Sequence, residues 1–340
     1  MGLVVPAVLL RHPRYTVLVA VTFVIATLVL TAPSAPSVLL GSNVGLGSTS
    51  SLNSESWVED AVREEEVRYG VMLKDRAAMV RKYGPTPESV QAYAYSTQFP
   101  EGLLYTLWDF YIPSFQCPHR VERLGTMGDG GKWVCGFERV AKQPECVIYS
   151  FGINEESSFE AALLTRSPGC QVWGYDFSVS RFGPEIESLP ALKSRSHFHP
   201  YALSARDAHA PEASPPEYTL ASLMAANNHT WIDVLKVDIE GAEFESLAQF
   251  VDDFSGGNGV LPVGQMQLEI HAREWSGYGD FAHFNVWWEK LERAGMRPFW
   301  TEANLVYLNI FKSGLMRVYW LQYSFLNVRG EHALVSDKYN

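Results

Sequence analysis

Apolar and polar positions along the chain fall into short runs whose period alternates between two and nearly four. Residues 147–151 form a β-rich run, Gly152-Ile153-Asn154 a turn, and residues 157–164 a helical stretch with Phe159, Leu163 and Leu164 apolar. Ser167-Pro168-Gly169 breaks that helix, residues 172–175 read as a second strand, and Asp176 stands at its end. Downstream, residues 197–204 read as a short strand running into a turn, 208–216 as loop, and 218–227 as a helix opening on Thr219. A strong strand over 232–239 turns into a helix ending near Val251, and 264–271 is a fifth strand. Residues 281–294 form an amphipathic helix closed by Gly295, and 297–301, 306–311 and 319–328 read as late strands. This alternation predicts an open, mostly parallel sheet covered by helices.

The unit over residues 146–176 organises the rest. A parallel βαβ crossover leaves a cleft at the carboxyl ends of its strands. Gly152 lets backbone approach a ligand there, and Asp176 can accept ribose hydroxyls, which is how nucleoside cofactors are held. A plain βαβ unit without a cofactor is the other outcome, since the G-x-G-x-x-G spacing is absent. Ahead of this unit, Gly128-Asp129-Gly130-Gly131 joins two extended pieces over 123–135, a hairpin signal whose glycines also suit backbone folding over a cofactor edge.

The N-terminal third reads differently. Residues 15–32 carry no Asp, Glu, Lys or Arg, and at the helical rise they span ~27 Å, close to a bilayer core. Arg11 and Arg14 precede them, and the next lysine or arginine is Arg63, so the positive-inside rule puts the N-terminus in the cytosol. A retained signal-anchor is preferred over a cleaved signal peptide because the run is long for an h-region, although small residues follow at Ala32, Ser34 and Ala35. Residues 33–56 are rich in Ser, Gly and Pro and read as a flexible stem, 57–82 as a solvated stem helix, and 91–112 as an aromatic-rich leading helix.

The formal net charge of -11 opposes nucleic-acid binding, which is driven by Lys and Arg. The four cysteines contain no C-x-x-C, so a zinc or thioredoxin-like site is not expected. Cys146 and Cys170 each lie at the start of a strand of the same unit, within disulfide reach, and Cys117 and Cys135 would then pair by elimination. Four buried free thiols is the competing assignment. Asn228-His229-Thr230 is a glycosylation sequon usable only in the secretory pathway.

Three fragments together resemble class I S-adenosylmethionine-dependent methyltransferases, the FkbM-type branch and its methyltransferase-like relatives. Ser150-Phe151-Gly152-Ile153-Asn154-Glu155-Glu156 stands where that family carries D-x-G-x-N-x-G; Gly152 and Asn154 match, while Ser150 and Glu156 depart from it. Gly174-Tyr175-Asp176-Phe177 carries the second-strand acid, and Leu235-Lys236-Val237-Asp238-Ile239-Glu240-Gly241-Ala242-Glu243 matches L-K-x-D-x-E-G-x-E at every specified position. Leu268-Glu269-Ile270-His271 matches the family's fifth strand.

The resemblance covers about residues 120–335 and implies an α/β Rossmann-like fold: a seven-stranded, mostly parallel sheet with helices on both faces and its last strand antiparallel. It implies S-adenosylmethionine as cofactor, held by Ser150, Phe151, Gly152, Asn154, Asp176 and Phe177, with Asp238, Glu240, Glu269 and His271 as catalytic candidates. No bound metal is expected, although Asp238, Glu269 and His271 are candidate ligands.

The resulting layout is a cytosolic tail over 1–14, an anchor over 15–32, stem and leading helices over 33–112, and a methyltransferase domain over 113–340. The expected function is methylation of an oxygen of a glycan or small molecule by a single-pass type II protein of the Golgi or endoplasmic reticulum, its catalytic domain lumenal. A lumenal glycosyltransferase shares the anchor-stem layout, but the chain has no D-x-D triplet for a metal-nucleotide. A non-catalytic relative of the methyltransferase fold is the third possibility.

Overall fold

A computed structural model describes residues 57–90, 105–256, 259–272, 276–304 and 321–339. The expected membrane span, the stem over 33–56 and the strand over 306–311 lie outside the described residues. No helix among the described residues is long and apolar enough to cross a membrane.

The central element is a seven-stranded sheet built from β3 (Cys146–Phe151), β4 (Cys170–Tyr175), β5 (Ser196–His199), β8 (Ile232–Val237), β9 (Val263–Ile270), β10 (Met296–Ala303) and β11 (Leu321–Asn327). Its spatial order is β10-β11-β9-β8-β3-β4-β5. Pairing is parallel from β5 to β9, whereas β11 runs antiparallel to both β9 and β10. The order reverses between β3 and β8, so a crevice opens at their carboxyl ends. Short parallel strands β6 (Ala202–Leu203) and β7 (Glu217–Tyr218) pair outside the sheet. The segment after Asp176 contains two short helices, Pro184–Glu187 and Pro190–Lys193, each begun by a proline whose missing N–H is harmless in a first turn.

Side-chain alternation along the strands feeds two cores. Ile148, Val172 and Val234 face α4 (Ser158–Arg166), which contributes Phe159, Leu163 and Leu164. Tyr149, Leu235, Val237 and Leu268 face α7 (Leu220–Ala226), α8 (Glu243–Ser255) and α9 (Phe281–Arg293). Thr219 caps α7 by accepting from the Ser222 amide, as its position predicts, and Gly295, at φ +100°, ends α9.

Helix α1 (Trp57–Tyr83) corrects the expectation of a solvated stem helix. Val58, Val62 and Tyr69 are buried in the second core. The same face buries a charged residue: Arg76 Nη1 donates to Glu292 Oε1 of α9 at 3.0 Å, Tyr69 and a second Arg76 nitrogen reach the same carboxylate, and Trp288 Nε1 donates to it at 2.8 Å. Arg297 of β10 holds Glu66 through bonds of 2.6 and 3.0 Å. A buried ion pair deprived of one partner leaves an uncompensated charge, so this helix belongs to the folded domain.

The hairpin β1 (Val121–Leu124) and β2 (Lys132–Cys135) forms as expected and lies against the sheet without joining it. Gln265, Gln267 and Glu269 alternate along β9 and are all buried. Gln265 exchanges two bonds of 3.0 Å with the backbone of Cys135, and Gln267 donates to the Trp133 carbonyl at 3.3 Å. Amides therefore do between hairpin and sheet what apolar side chains do elsewhere. Both expected disulfides are present: Cys146–Cys170 joins directly paired residues of β3 and β4, and Cys117–Cys135 fastens β2 to the segment before β1. At the enclosed loop lengths each contributes about 3 kcal/mol.

Candidate active site

The carboxyl ends of β3, β4 and β8 open into a cleft of about 650 Å³. At its centre the Gly152 and Asp238 backbones touch. Gly152 has φ +80°, and a Cβ there would lie 1.8 Å from the Asp238 carbonyl oxygen. The Asp238 amide donates to the Phe151 carbonyl at 3.2 Å, and the Lys236 ammonium donates to the Gly152 carbonyl. Glycine is required at 152 by the next strand's backbone as well as by its own φ. Of the four non-glycine residues with positive φ among the described residues, Asn154, Glu155 and Glu240 flank this cleft, so backbone strain gathers at it.

Asp176 stands at the end of β4, and both its oxygens are engaged. Oδ2 accepts from the Ile153 and Asn154 amides at 2.8 and 2.9 Å; Oδ1 accepts from the Ser178 amide and hydroxyl at 2.8 and 2.7 Å. Burial works against its charge, but the Ser178, Asn154 and Ile153 bonds outweigh it and hold the carboxyl below its usual range. The side chain orders the Gly152 turn, and a ribose diol must compete with Ser178 for it. Phe177, 59% exposed, forms part of the wall beside it.

Ser150, expected among the cofactor contacts, does not reach the cleft. It is fully buried and its hydroxyl donates to Glu160 of α4, while Lys236 lies 3.7 Å from that same carboxylate. Burial alone would lower the Lys236 ammonium, but Glu160, Asp238, Glu156 and Glu269 hold it above its ordinary value. The carboxylate that faces Lys236 therefore comes from Glu160, one helix away from β3.

The four catalytic candidates converge. Asp238 and Glu240 line the cleft with Glu269, and His271 lies beneath them, 1% exposed. Its Nε2 is 3.5 Å from Glu240 and 3.9 Å from Asp238, while its backbone amide and Nδ1 meet one oxygen of Glu243 at 2.8 and 3.1 Å. Burial acts to lower the imidazole, but Glu243, Asp238 and Glu240 overcome it and lift its pKa to about 9. Glu269 accepts from Asn304 at 2.7 Å and from Gln322 at 3.0 Å; burial and the Asp238 charge push it up to about 7.

Lys132 was not among the residues expected at the site. The docked hairpin delivers its ammonium to 3.6 Å from Glu269 and 3.8 Å from Asp238, held by the Asp129 carbonyl at 2.9 Å. Asp129 itself lines the cleft, so the glycine-rich turn lies at its edge. The legible signal for Lys132 was its place directly after that turn; nothing local marks its burial.

A seven-stranded sheet with one reversed strand, and an acid-rich crevice where its order reverses, define a Rossmann-like α/β fold with its cleft at the switch point. A methyltransferase-domain family profile, Methyltransf_22, matches residues 73–317, and the chain belongs to that family. It is 28% identical over 183 residues to the probable methyltransferase-like protein 24 of Rattus norvegicus, covering 50% of this chain and 47% of that protein. For the Homo sapiens protein of the same name the figures are 26% over 168 residues, 46% and 42%. The chain thus spans about half the length of the curated relatives it matches. Among solved structures, the Methanococcus jannaschii fibrillarin pre-rRNA processing protein aligns at a TM-score of 0.33 and 13% identity, over 62% of this chain and 82% of that one. The StiE O-MT domain aligns at 0.31 and 11%, over 55% and 70%. The match spans most of the described domain and favours the methyltransferase-fold reading over the glycosyltransferase one.

Proposed function

We propose that the chain uses S-adenosylmethionine to methylate a hydroxyl oxygen of a glycan or small molecule, on the lumenal side of the endoplasmic reticulum or Golgi, as a type II protein anchored through residues 15–32. The observation that carries the cofactor assignment is the charge of the cleft. Asp129, Asp176, Glu217, Asp238, Glu240 and Glu269 line it, with no lysine or arginine among the described lining residues. That wall suits a ligand with a sulfonium and an ammonium against one carboxylate. Its volume is in the range that small-molecule pockets require. Phe151, Gly152, Asn154, Asp176 and Phe177 would hold the nucleoside half.

When bound, the cofactor supplies an electrophilic methyl group, and in-line positioning provides most of the rate. Asp238, partly exposed at the floor, is placed to receive the acceptor hydroxyl's proton. Lys132 and the His271 imidazolium flank it and fix its orientation, and the Glu243 carboxylate holds the imidazolium. The two disulfides support an oxidising, secretory compartment, and the net charge of -11 supports a partner other than nucleic acid.

A metal-assisted mechanism is the second reading, because ligand atoms of Asp238, Glu269 and His271 lie within 4.8 Å of one another. Against it, the Lys132 ammonium sits 3.6 and 3.8 Å from the two carboxylates and already supplies a positive charge there.

Calorimetry with S-adenosylmethionine and with a UDP-sugar is the first test, and binding of the former alone is expected. No heat at millimolar S-adenosylmethionine would overturn the assignment. Asp238→Asn should keep cofactor affinity within a few-fold while methyl transfer to hydroxyl acceptors falls about 10²-fold or more. Transfer that survives exhaustive EDTA treatment eliminates the metal reading.

A further inference from the structure

Asn228-His229-Thr230 is the one Asn-x-Ser/Thr sequence of the chain. It occupies the tight turn between α7 and β8, at the amino ends of the parallel strands, the end of the sheet opposite the acid-lined cleft. Asn228 is exposed, adopts φ 59°, and donates its amide to the Ala225 carbonyl at 3.1 Å. The middle residue is the anchored one. His229 Nδ1 lies 2.8 Å from the Tyr149 hydroxyl, and its ring stands edge-on to Trp173 with centroids 4.2 Å apart. With His229 turned inward, Asn228 and Thr230 are both left exposed on the outer side of the turn.

Beside them opens a polar cavity of about 550 Å³, remote from the cleft, whose lining includes Asn228, Thr230, Trp231, Asp233 and Glu331. An indole next to carboxylates and hydroxyls is a surface on which a sugar can stack its apolar face and hydrogen-bond its rim. The methyltransferase chemistry uses none of these groups.

We propose that Asn228 carries an N-linked glycan whose innermost sugar is seated in this cavity. The proposal rests on the lumenal reading given above. The donor is a lipid-diphosphate oligosaccharide. The bond from Asn228 Nδ2 to the sugar C1 forms as the C1–O bond to the diphosphate breaks; the diphosphate leaves with the bonding pair, and Nδ2 gives up one proton. The glycan projects from the end of the sheet away from the cleft and leaves acceptor entry open.

The full chain expressed in a eukaryotic secretory host tests this. Intact mass is compared before and after peptide-N-glycosidase treatment, with cysteine alkylation under non-reducing conditions scored on the same sample. Wild type is expected to lose the mass of one glycan; Asn228→Gln and Thr230→Ala are expected to lose none, with methyl transfer unchanged. A glycan-free wild type with both disulfides formed overturns the proposal and leaves the lumenal reading standing. A glycan-free wild type with free thiols overturns the lumenal reading and the proposal with it. For the seat, protein trimmed to the first sugar should melt about 2 °C or more above fully deglycosylated protein. Equal midpoints overturn the seat.

Discussion

One oxygen of Glu243 receives both the backbone amide and Nδ1 of His271, at 2.8 and 3.1 Å. Glu243 is fully buried, so its position at the start of α8 does more than complement a helix dipole. His271 is raised from an ordinary 6.5 to about 9. A histidine raised in the folded state adds stability that is fully present below its unfolded pKa and is lost as pH rises through the folded one. The contribution, on the order of 3 kcal/mol, should therefore disappear between about pH 6.5 and 9. Glu243→Gln should move the His271 titration, followed by NMR, to lower pH and flatten that stretch of the stability curve. An unmoved titration would show that Glu243 does not set it.

Gly152→Ala should disrupt the cleft by itself. The added Cβ meets the Asp238 carbonyl, and φ +80° is unfavourable for alanine. The expected result is loss of measurable cofactor binding together with a lower melting temperature. A variant with wild-type stability and no binding would mean that the substitution acts on the ligand alone.

Asp176→Asn exchanges an acceptor-only group for one that must present an N–H to one of its donors. Hydrogen bonds to a charged group contribute about 1.5–3 kcal/mol each, so cofactor affinity should fall at least tenfold. Ser178→Ala, which frees one acceptor site on Asp176, should leave affinity equal or improve it. Calorimetry on the two variants separates the ribose-binding role from the turn-ordering one.

Glu292→Ala strands the Arg76 guanidinium in the interior beside Tyr69 and Trp288. Such losses cost about 3–5 kcal/mol, read as a shift of the denaturant midpoint. A shift below 1 kcal/mol would return α1 to the role of a peripheral stem.

The sheet was legible because its strands are apolar runs bounded by Gly, Pro and Asn, and because Asp176, Asp238 and Glu269 stand at strand ends. Three features were hidden for a common physical reason. Helix α1 buries Glu65 and Arg76 on the same face as Val58 and Tyr69, so apolar periodicity understates its contact with the domain. Gln265 and Gln267 look like exposed alternation until the hairpin lies over them. Ser150 departs from the acid expected at its motif position, but nothing near it announces that Glu160 of the following helix accepts its bond and faces Lys236. In each case a polar group is buried against a partner far away in sequence, and local pattern carries no record of the partner.

A crevice walled by carboxylates treats the two ends of a methyl transfer unequally. The reacting cofactor brings a sulfonium, whereas the thioether left behind is neutral at sulfur, so the attraction that fills the site weakens as the reaction completes. On the proposed cofactor, the spent thioether form is expected to bind more weakly than the sulfonium form, a difference that calorimetry with each reads directly.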